Sequence, residues 1–220
     1  MSLTLHMHPL SSYCHKVLIA LYENNTSFRP HMVDLADARA RDAFYRLWPV
    51  GRFPVLHDSA RDRLVPESSI IIEYLQLYYP GAVPLLPSDS ETALQVRQRD
   101  RFFDQHVHEP LQKIITDRLR PIDQRDHFGV AQARQRLYAA LDLFERDMAQ
   151  QPWAAGETFG MADCAAAPPL FYCNLQMPLE DTHPHTAAYL LRVMQRPSYT
   201  RVLTEAEPYL HMLPREPAEA

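Results

Sequence analysis

Glycine is scarce in this sequence, with five in 220 residues. There is no Gly-x-Gly-x-x-Gly and no Gly-x-x-x-x-Gly-Lys, so the loops that cradle nucleotide phosphates are missing and nucleotide-dependent chemistry is not expected. Cysteine is scarcer still. Cys14, Cys164 and Cys173 are an odd set scattered in apolar sequence, which fits neither a disulfide framework nor a zinc knuckle. A basic excess is also absent: 22 Lys and Arg face 27 Asp and Glu, a formal charge of −5. The nearest basic cluster, Asp117-Arg118-Leu119-Arg120, is of mixed sign, so no nucleic-acid partner is expected. No run approaches the roughly 18 uncharged apolar residues of a membrane span. Met1-Ser2-Leu3-Thr4-Leu5-His6 lacks a basic start and a long apolar run, so it does not read as a signal peptide. A reducing cytoplasm with no membrane partner is the expected setting.

What is present is an ordinary globular balance, 46% hydrophobic and 22% charged, with 19 prolines. The length leaves one or two domains open. Short strand signals at Thr4 to His8, Phe28 to Leu35, Pro54 to His57 and Arg63 to Val65 alternate with helical patterns at Tyr13 to Glu23, Ala38 to Leu47 and Ser68 to Tyr79. The order is β-α-β-α-β-β-α. Gly81, Pro84 and Pro87 place a linker at residues 81–91. Beyond it only helices are expected: a long tract from Thr92 to Leu119, bent at Pro110, then a helix whose face is traced by Ala133, Leu137, Ala140, Leu141, Phe144 and Met148. Met161 to Leu175 and Thr186 to Met194 supply two more. The tail from Pro214 to Ala220 is expected to be loose. The plan is a small α/β domain over residues 1–80 and an all-helical one over 92–220.

Three constellations carry chemistry. The first is Trp48-Pro49-Val50-Gly51-Arg52-Phe53-Pro54-Val55-Leu56. A cis bond before Pro54 would free the backbone N–H and C=O of Phe53 to pair with a bound peptide like an extra strand. A trans proline capping an edge strand fits the same residues. The second is Glu67-Ser68 at a helix start, where free N–H groups favour a carboxylate, Ser68 can donate to it and Glu67 can take an ammonium. Simple helix capping by the same two residues is compatible with that role. The third is Ser11-Ser12-Tyr13-Cys14-His15-Lys16-Val17, another helix start, where a hydroxyl could donate to a sulfur anion or merely cap the helix.

Together these segments resemble the glutathione transferase family, through Ser-x-x-x-x-Lys-Val at Ser11 to Val17, Gly-x-x-Pro-Val-Leu at Gly51 to Leu56, and Glu-Ser-x-x-Ile-x-x-Tyr-Leu at Glu67 to Leu75. Gly156-Glu157-Thr158-Phe159-Gly160-Met161-Ala162-Asp163 is similar to the family's helix-capping motif, with Gly160 where Ser or Thr is usual and half of the capping box therefore missing. The resemblance is to cytosolic, bacterial-type enzymes of the serine and cysteine classes, with the subclass unassigned. It implies a fold of the α/β plus all-α type: an N-terminal thioredoxin-like, glutathione-binding domain at residues 1–80, followed by a C-terminal helical bundle at 92–220 that contributes the second-substrate pocket.

The resemblance also implies roles. Glutathione is the cosubstrate, with its cysteinyl backbone read at Phe53 beside Pro54, its γ-glutamyl end held by Glu67 and Ser68, and its glycyl carboxylate within reach of Arg52. Ser11 matches the position that stabilises the thiolate, and Ser12 is the alternative, because a one-residue change in the helix start exchanges them. The second substrate is a small, partly apolar electrophile, and a homodimer is implied. Alternatives are a glutathione-dependent isomerase of the maleylacetoacetate isomerase type, a reductase, or a non-catalytic binding module of the same fold. Cys14 reads as a buried small hydrophobe. No metal is expected: His106 and His108 are two apart on a helix and point apart. By the resemblance His106 could line the electrophile pocket, but a solvated histidine is the preferred reading.

Overall fold

The computed structural model describes residues 2–214. The tail expected to be loose lies outside the described residues, apart from Pro214. Four strands, β1 (Leu3–Met7), β2 (Arg29–Met32), β3 (Val55–Asp58) and β4 (Arg63–Pro66), form one sheet in the order β2-β1-β3-β4. β1 runs parallel to β2 and antiparallel to β3, and β4 is antiparallel to β3. Side chains alternate across a strand. Leu3, Leu5 and Met7 therefore share one face with Leu56 and Val65 and are buried there. Two helices close that face: α1 (Ser12–Glu23), which buries Val17, Leu18, Ile19 and Leu21, and α3 (Ser68–Tyr78), which buries Ile71, Ile72 and Leu75. The opposite face carries Thr4, His6 and His57. It is covered only by α2 (Ala38–Leu47), whose single buried residue, Phe44, packs on Val33 and Val55. This is the thioredoxin-like arrangement with a mixed four-stranded sheet, and the sequence order β-α-β-α-β-β-α holds throughout.

Only helices follow Tyr78 among the described residues: α4 (Ser90–Phe102), α5 (Glu109–Asp117), α6 (His127–Met148), α7 (Met161–Gln176), α8 (Pro184–Met194) and α9 (Pro197–Ala206), with a 3₁₀ turn at Glu207–Met212. The buried residues of α6 are Ala133, Leu137, Ala140, Leu141, Phe144 and Met148, the stripe its sequence periodicity traces. One core unites the two halves, from Leu5 and Leu18 of the α/β part to Phe103, Phe144 and Leu170 of the helical part. α9 was not expected. It buries only Ser198, Tyr199, Val202 and Ala206, and its apolar signal is too short to stand out.

The tract from Thr92 to Leu119 is not simply bent at Pro110. Phe103–His108, just before it, is a π-helical run between α4 and α5. Pro110 has no N–H for the carbonyl of His106, and its ring crowds that turn. A widened turn upstream accommodates both, and it changes which residues face inward.

The start of α7 shows why glycine replaces the usual hydroxyl residue. Asp163 Oδ2 accepts from Gly160 N–H at 2.9 Å, and its Oδ1 accepts from Ala154 N–H and Tyr189 O–H, each at 2.8 Å. Burial pushes the Asp163 carboxyl up to about 6 despite these donors. Glycine has no side chain to answer Asp163, so half of the capping box is indeed absent. A Cβ at Gly160 would lie 2.9 Å from the carbonyl oxygen of Leu85, which accepts from Met161 N–H at 2.7 Å. The linker backbone occupies the space where a capping side chain would begin. Helix-capping preference alone ranks serine above glycine at an N-cap. Here the opposite is expected: Gly160→Ser lowers the thermal midpoint, and Asp163→Ala lowers it further, with a stability cost of about 3 kcal/mol or more because three buried donors lose their acceptor. Melting curves of the two variants check both signs.

Candidate active site

The N-terminus of α1 lies at the seam of two clefts. Ser11 is its N-cap: Ser11 Oγ accepts from Cys14 N–H at 3.3 Å, and Ser11 C=O accepts from His15 N–H at 2.9 Å. An oxygen that accepts from the backbone keeps its own proton for donation outward. Ser12, one position on, is buried and hydrogen-bonds with His108 Nε2. Cys14 is fully buried, and burial pushes its thiol up to about 12. That is the wrong direction for a nucleophile at neutral pH.

The first cleft, about 800 Å³, is lined on the α/β side by Ser11, Tyr13, Arg52, Phe53, Pro54, Glu67 and Ser68. Every binding residue anticipated from the sequence therefore lines this one cavity, together with Ser11 but without Ser12. The Phe53–Pro54 peptide is cis. Glu67 has a positive φ of 68° and makes no side-chain capping bond, so its carboxylate is not spent on the helix and the simple capping role does not apply. Such a backbone conformation in a non-glycine residue costs on the order of 1–3 kcal/mol and tends to persist where a site needs it. Ser68, buried, opens α3, whose first N–H groups have no side-chain cap. Their partial positive charge suits a carboxylate.

The helical half supplies the other wall with Arg101, Asp104, Gln105, Glu109 and Gln112. Sequence reasoning missed all five. They fall in and around the π-helical run, and nothing in the local pattern marks which of its polar residues turn toward the α/β half. One signal was available: Lys16 stands in an otherwise apolar helix, so a buried lysine needed acidic partners. Lys16 is 1% exposed. Its Nζ donates to Ser69 Oγ at 2.9 Å and to Asp104 Oδ2 at 2.9 Å, and lies 2.6 Å from Asp100 Oδ1 in a charge contact rather than an aligned hydrogen bond. Ser69 Oγ in turn donates to Asp100 Oδ2 at 2.7 Å. Burial raises the Asp104 carboxyl, and Lys16 opposes that rise.

The second cleft, about 600 Å³, is lined by Leu10, Val33, Leu35, Leu111, Ile115, Leu119, Met212 and Leu213, with Ser11, Ser12, Tyr13, Phe53 and His108 at its inner end. His106 is exposed, as the preferred reading has it, and packs against Phe102. The histidine that does line this cavity is His108, at the end of the π-helical run. Ser11 is thus common to a polar cleft and an apolar one, while Ser12 faces only the apolar one. Among the described residues no group of three or more histidine, cysteine or carboxylate side chains could hold a metal ion.

Comparison with known proteins gives a consistent result. Residues 5–83 match the family description "Glutathione S-transferase, N-terminal domain", and residues 123–192 match "Glutathione S-transferase, C-terminal domain". A glutathione S-transferase-like protein, LUC7, from Fusarium sp is 30% identical over 149 residues, spanning 67% of this chain and 64% of that protein. Glutathione S-transferase F7 of Arabidopsis thaliana is 26% identical over 204 residues, 89% of this chain and 96% of the relative. The crystal structure of a glutathione S-transferase from Methylobacterium radiotolerans, in complex with glutathione sulfonate, superposes with a TM-score of 0.79 at 27% identity, covering 91% of this chain and 93% of that one.

The Lys16 cluster generates a prediction. Lys16→Met strands two buried carboxylates and is expected to cost about 3–5 kcal/mol. Without the cation the Asp104 carboxyl, already raised by burial, loses the charge that opposes the rise, so the folded variant binds a proton more tightly. Stability of that kind is present at low pH and lost as pH rises through the folded pKa. The deficit of Lys16→Met against wild type should therefore shrink between about pH 8 and about pH 5. Denaturant midpoints at the two pH values test this, and a deficit that is constant or grows on acidification contradicts it.

Proposed function

Because the chain belongs to the glutathione S-transferase family, with two matched domains that together make up more than half of it, we propose that it is an enzyme that binds glutathione in the polar cleft and activates the thiol at Ser11. The sulfur then attacks an electrophilic carbon of a small, partly apolar molecule held in the second cleft. The observation that carries this reading is the position of Ser11, the one predicted catalytic residue that lines both cavities.

In this reading the peptide lies along Phe53 and Pro54. Its γ-glutamyl carboxylate meets Ser68 and the uncapped start of α3, its ammonium meets Glu67, and its glycyl carboxylate meets Arg52. Ser11 Oγ donates to the thiolate, and the helix start beneath it adds partial positive charge, so both favour the anion. Ser11 does not itself become a nucleophile. Residues 1–80 bind the cosubstrate, 81–91 link, and 92–220 complete the second pocket. A homodimer through α3 and α4 is part of the proposal, supported by exposed Ile70, Leu77 and Leu94 on those helices. So is a cytoplasmic setting, which suits three free, buried thiols. A dithiol reductase is disfavoured by serine at position 11 and by the raised thiol of Cys14. An isomerase would use the same cosubstrate cleft and differ only in the second.

Titration calorimetry with glutathione is expected to show saturable heat, and its absence would support a binding module with another ligand. Ser11→Ala is expected to lower turnover about tenfold or more and to raise the pH at which bound glutathione shows thiolate absorbance, while glutathione affinity stays within a few-fold. Turnover equal to wild type at saturating glutathione refutes the role of Ser11.

A further inference from the structure

Ser12 and His108 form a buried polar pair in a largely apolar cavity, and the thiol activation just described has no use for them. Ser12 is 9% exposed and opens α1; His108 is 9% exposed and closes the π-helical run. Their side chains meet in a hydrogen bond. Tyr13 packs on the imidazole with ring centroids 4.1 Å apart, which fixes its plane. His108 Nδ1 is buried without a hydrogen-bond partner.

Burial first, and the nearby Lys16 charge second, push His108 down to about 4, so the ring is neutral at physiological pH. A neutral imidazole carries one proton. Placing it on Nδ1 would leave an orphaned buried N–H, the less tolerated of the two possible defects. The proton therefore sits on Nε2 and is donated to Ser12 Oγ. Ser12 then keeps its own O–H proton for donation, and a hydroxyl that accepts one hydrogen bond is polarised toward giving another. The apolar cleft is where Ser12 is accessible. Two hydroxyls on consecutive residues thus face the seam: Ser11, which lines both cavities, and Ser12, which lines the second alone.

We infer that Ser12, positioned by His108, is an oxyanion donor for the second substrate, and that this substrate is an apolar α,β-unsaturated carbonyl compound. The inference rests on the glutathione reading above. In such a molecule the oxygen lies three bonds from the carbon that sulfur attacks, a span comparable to that between side chains one residue apart, whose Cα atoms are about 3.8 Å apart. The thiolate lone pair forms the C–S bond at the β-carbon. The C=C π pair moves to form the enolate double bond, and the C=O π pair moves onto oxygen, where Ser12 O–H donates to it. The proton lost to solvent when the thiol ionises is replaced from solvent at the α-carbon, so the net reaction is addition of glutathione across the double bond. A donor aimed at the developing charge acts in the transition state more than in the ground state. His108 is a positioning residue: it touches Ser12, not the substrate.

The test compares benzylideneacetone, an apolar enone, with chlorodinitrobenzene, whose developing charge spreads over the ring and nitro groups. Wild type should conjugate the enone. In Ser12→Ala and His108→Leu the ratio of enone to aryl-halide kcat/KM should fall about tenfold or more, and His108→Gln, which keeps an N–H near the Nε2 position, should recover part of it. Melting curves and glutathione calorimetry on each variant separate misfolding from chemistry. Equal losses on both electrophiles, an unchanged ratio, or glutathione binding without any enone adduct overturn the inference while leaving the cosubstrate reading intact. Absence of glutathione binding by wild type removes that reading, and this inference with it.

Discussion

The buried ammonium of Lys16 is the constraint that the rest of the molecule is arranged around. A lysine almost wholly removed from water is tolerable only if its charge is met and its three protons are accepted. Its partners come from three places in the chain: Ser69 on α3, Asp100 on α4 and Asp104 in the π-helical run. Satisfying one cation therefore fixes the first helix of the α/β half against the third, and both against the long helical rod. Apolar packing joins the same elements, but it is non-directional and tolerates sliding. The ionic cluster permits one register.

That register sets the chemistry. α1 carries Lys16 at its second turn and Ser11 and Ser12 at its start, so pinning Lys16 also points the helix start at the seam between the halves. Asp104 binds Lys16 and lines the polar cleft. Three and four residues further on, Val107 and His108 turn inward, and His108 meets Ser12. The π-helical run is what allows Asp104 and His108 to serve the two clefts from one rod. A regular α-helix would bring residues four apart onto one face, and the wider turn separates them.

Two departures from local preference mark where tertiary contact overrides the chain's own tendencies. Glu67 holds a positive φ that its side chain disfavours, at the wall of the polar cleft. Gly160 occupies an N-cap where serine or threonine would cap better, because the backbone of Leu85 from the linker already fills the space. In each case a neighbour distant in sequence, or the demands of a site, decides the residue.

Much of the fold was legible in the chain alone. Alternation marked the strands, the 3.6-residue stripe marked α6, and Gly81, Pro84 and Pro87 marked the break between the halves. The residues proposed to bind glutathione were legible too, because each sits within a short motif next to a strand end or helix start, where local geometry follows from local sequence. The second cleft was not. Leu10, Leu111, Tyr172 and Met212 come together from four separated segments, and no local pattern encodes their meeting. His108 was not assigned to it either, because it reaches the cavity from a π-helical run whose phase an ordinary helical pattern does not give. The sequence by itself determined the order of elements, the mixed sheet with its attached helical half, and the polar wall. Only the tertiary structure decided which hydroxyl reaches both cavities and which histidine stands behind the other. Those choices depend on how a buried cation locks two halves together, and that energy belongs to contacts dozens of residues apart.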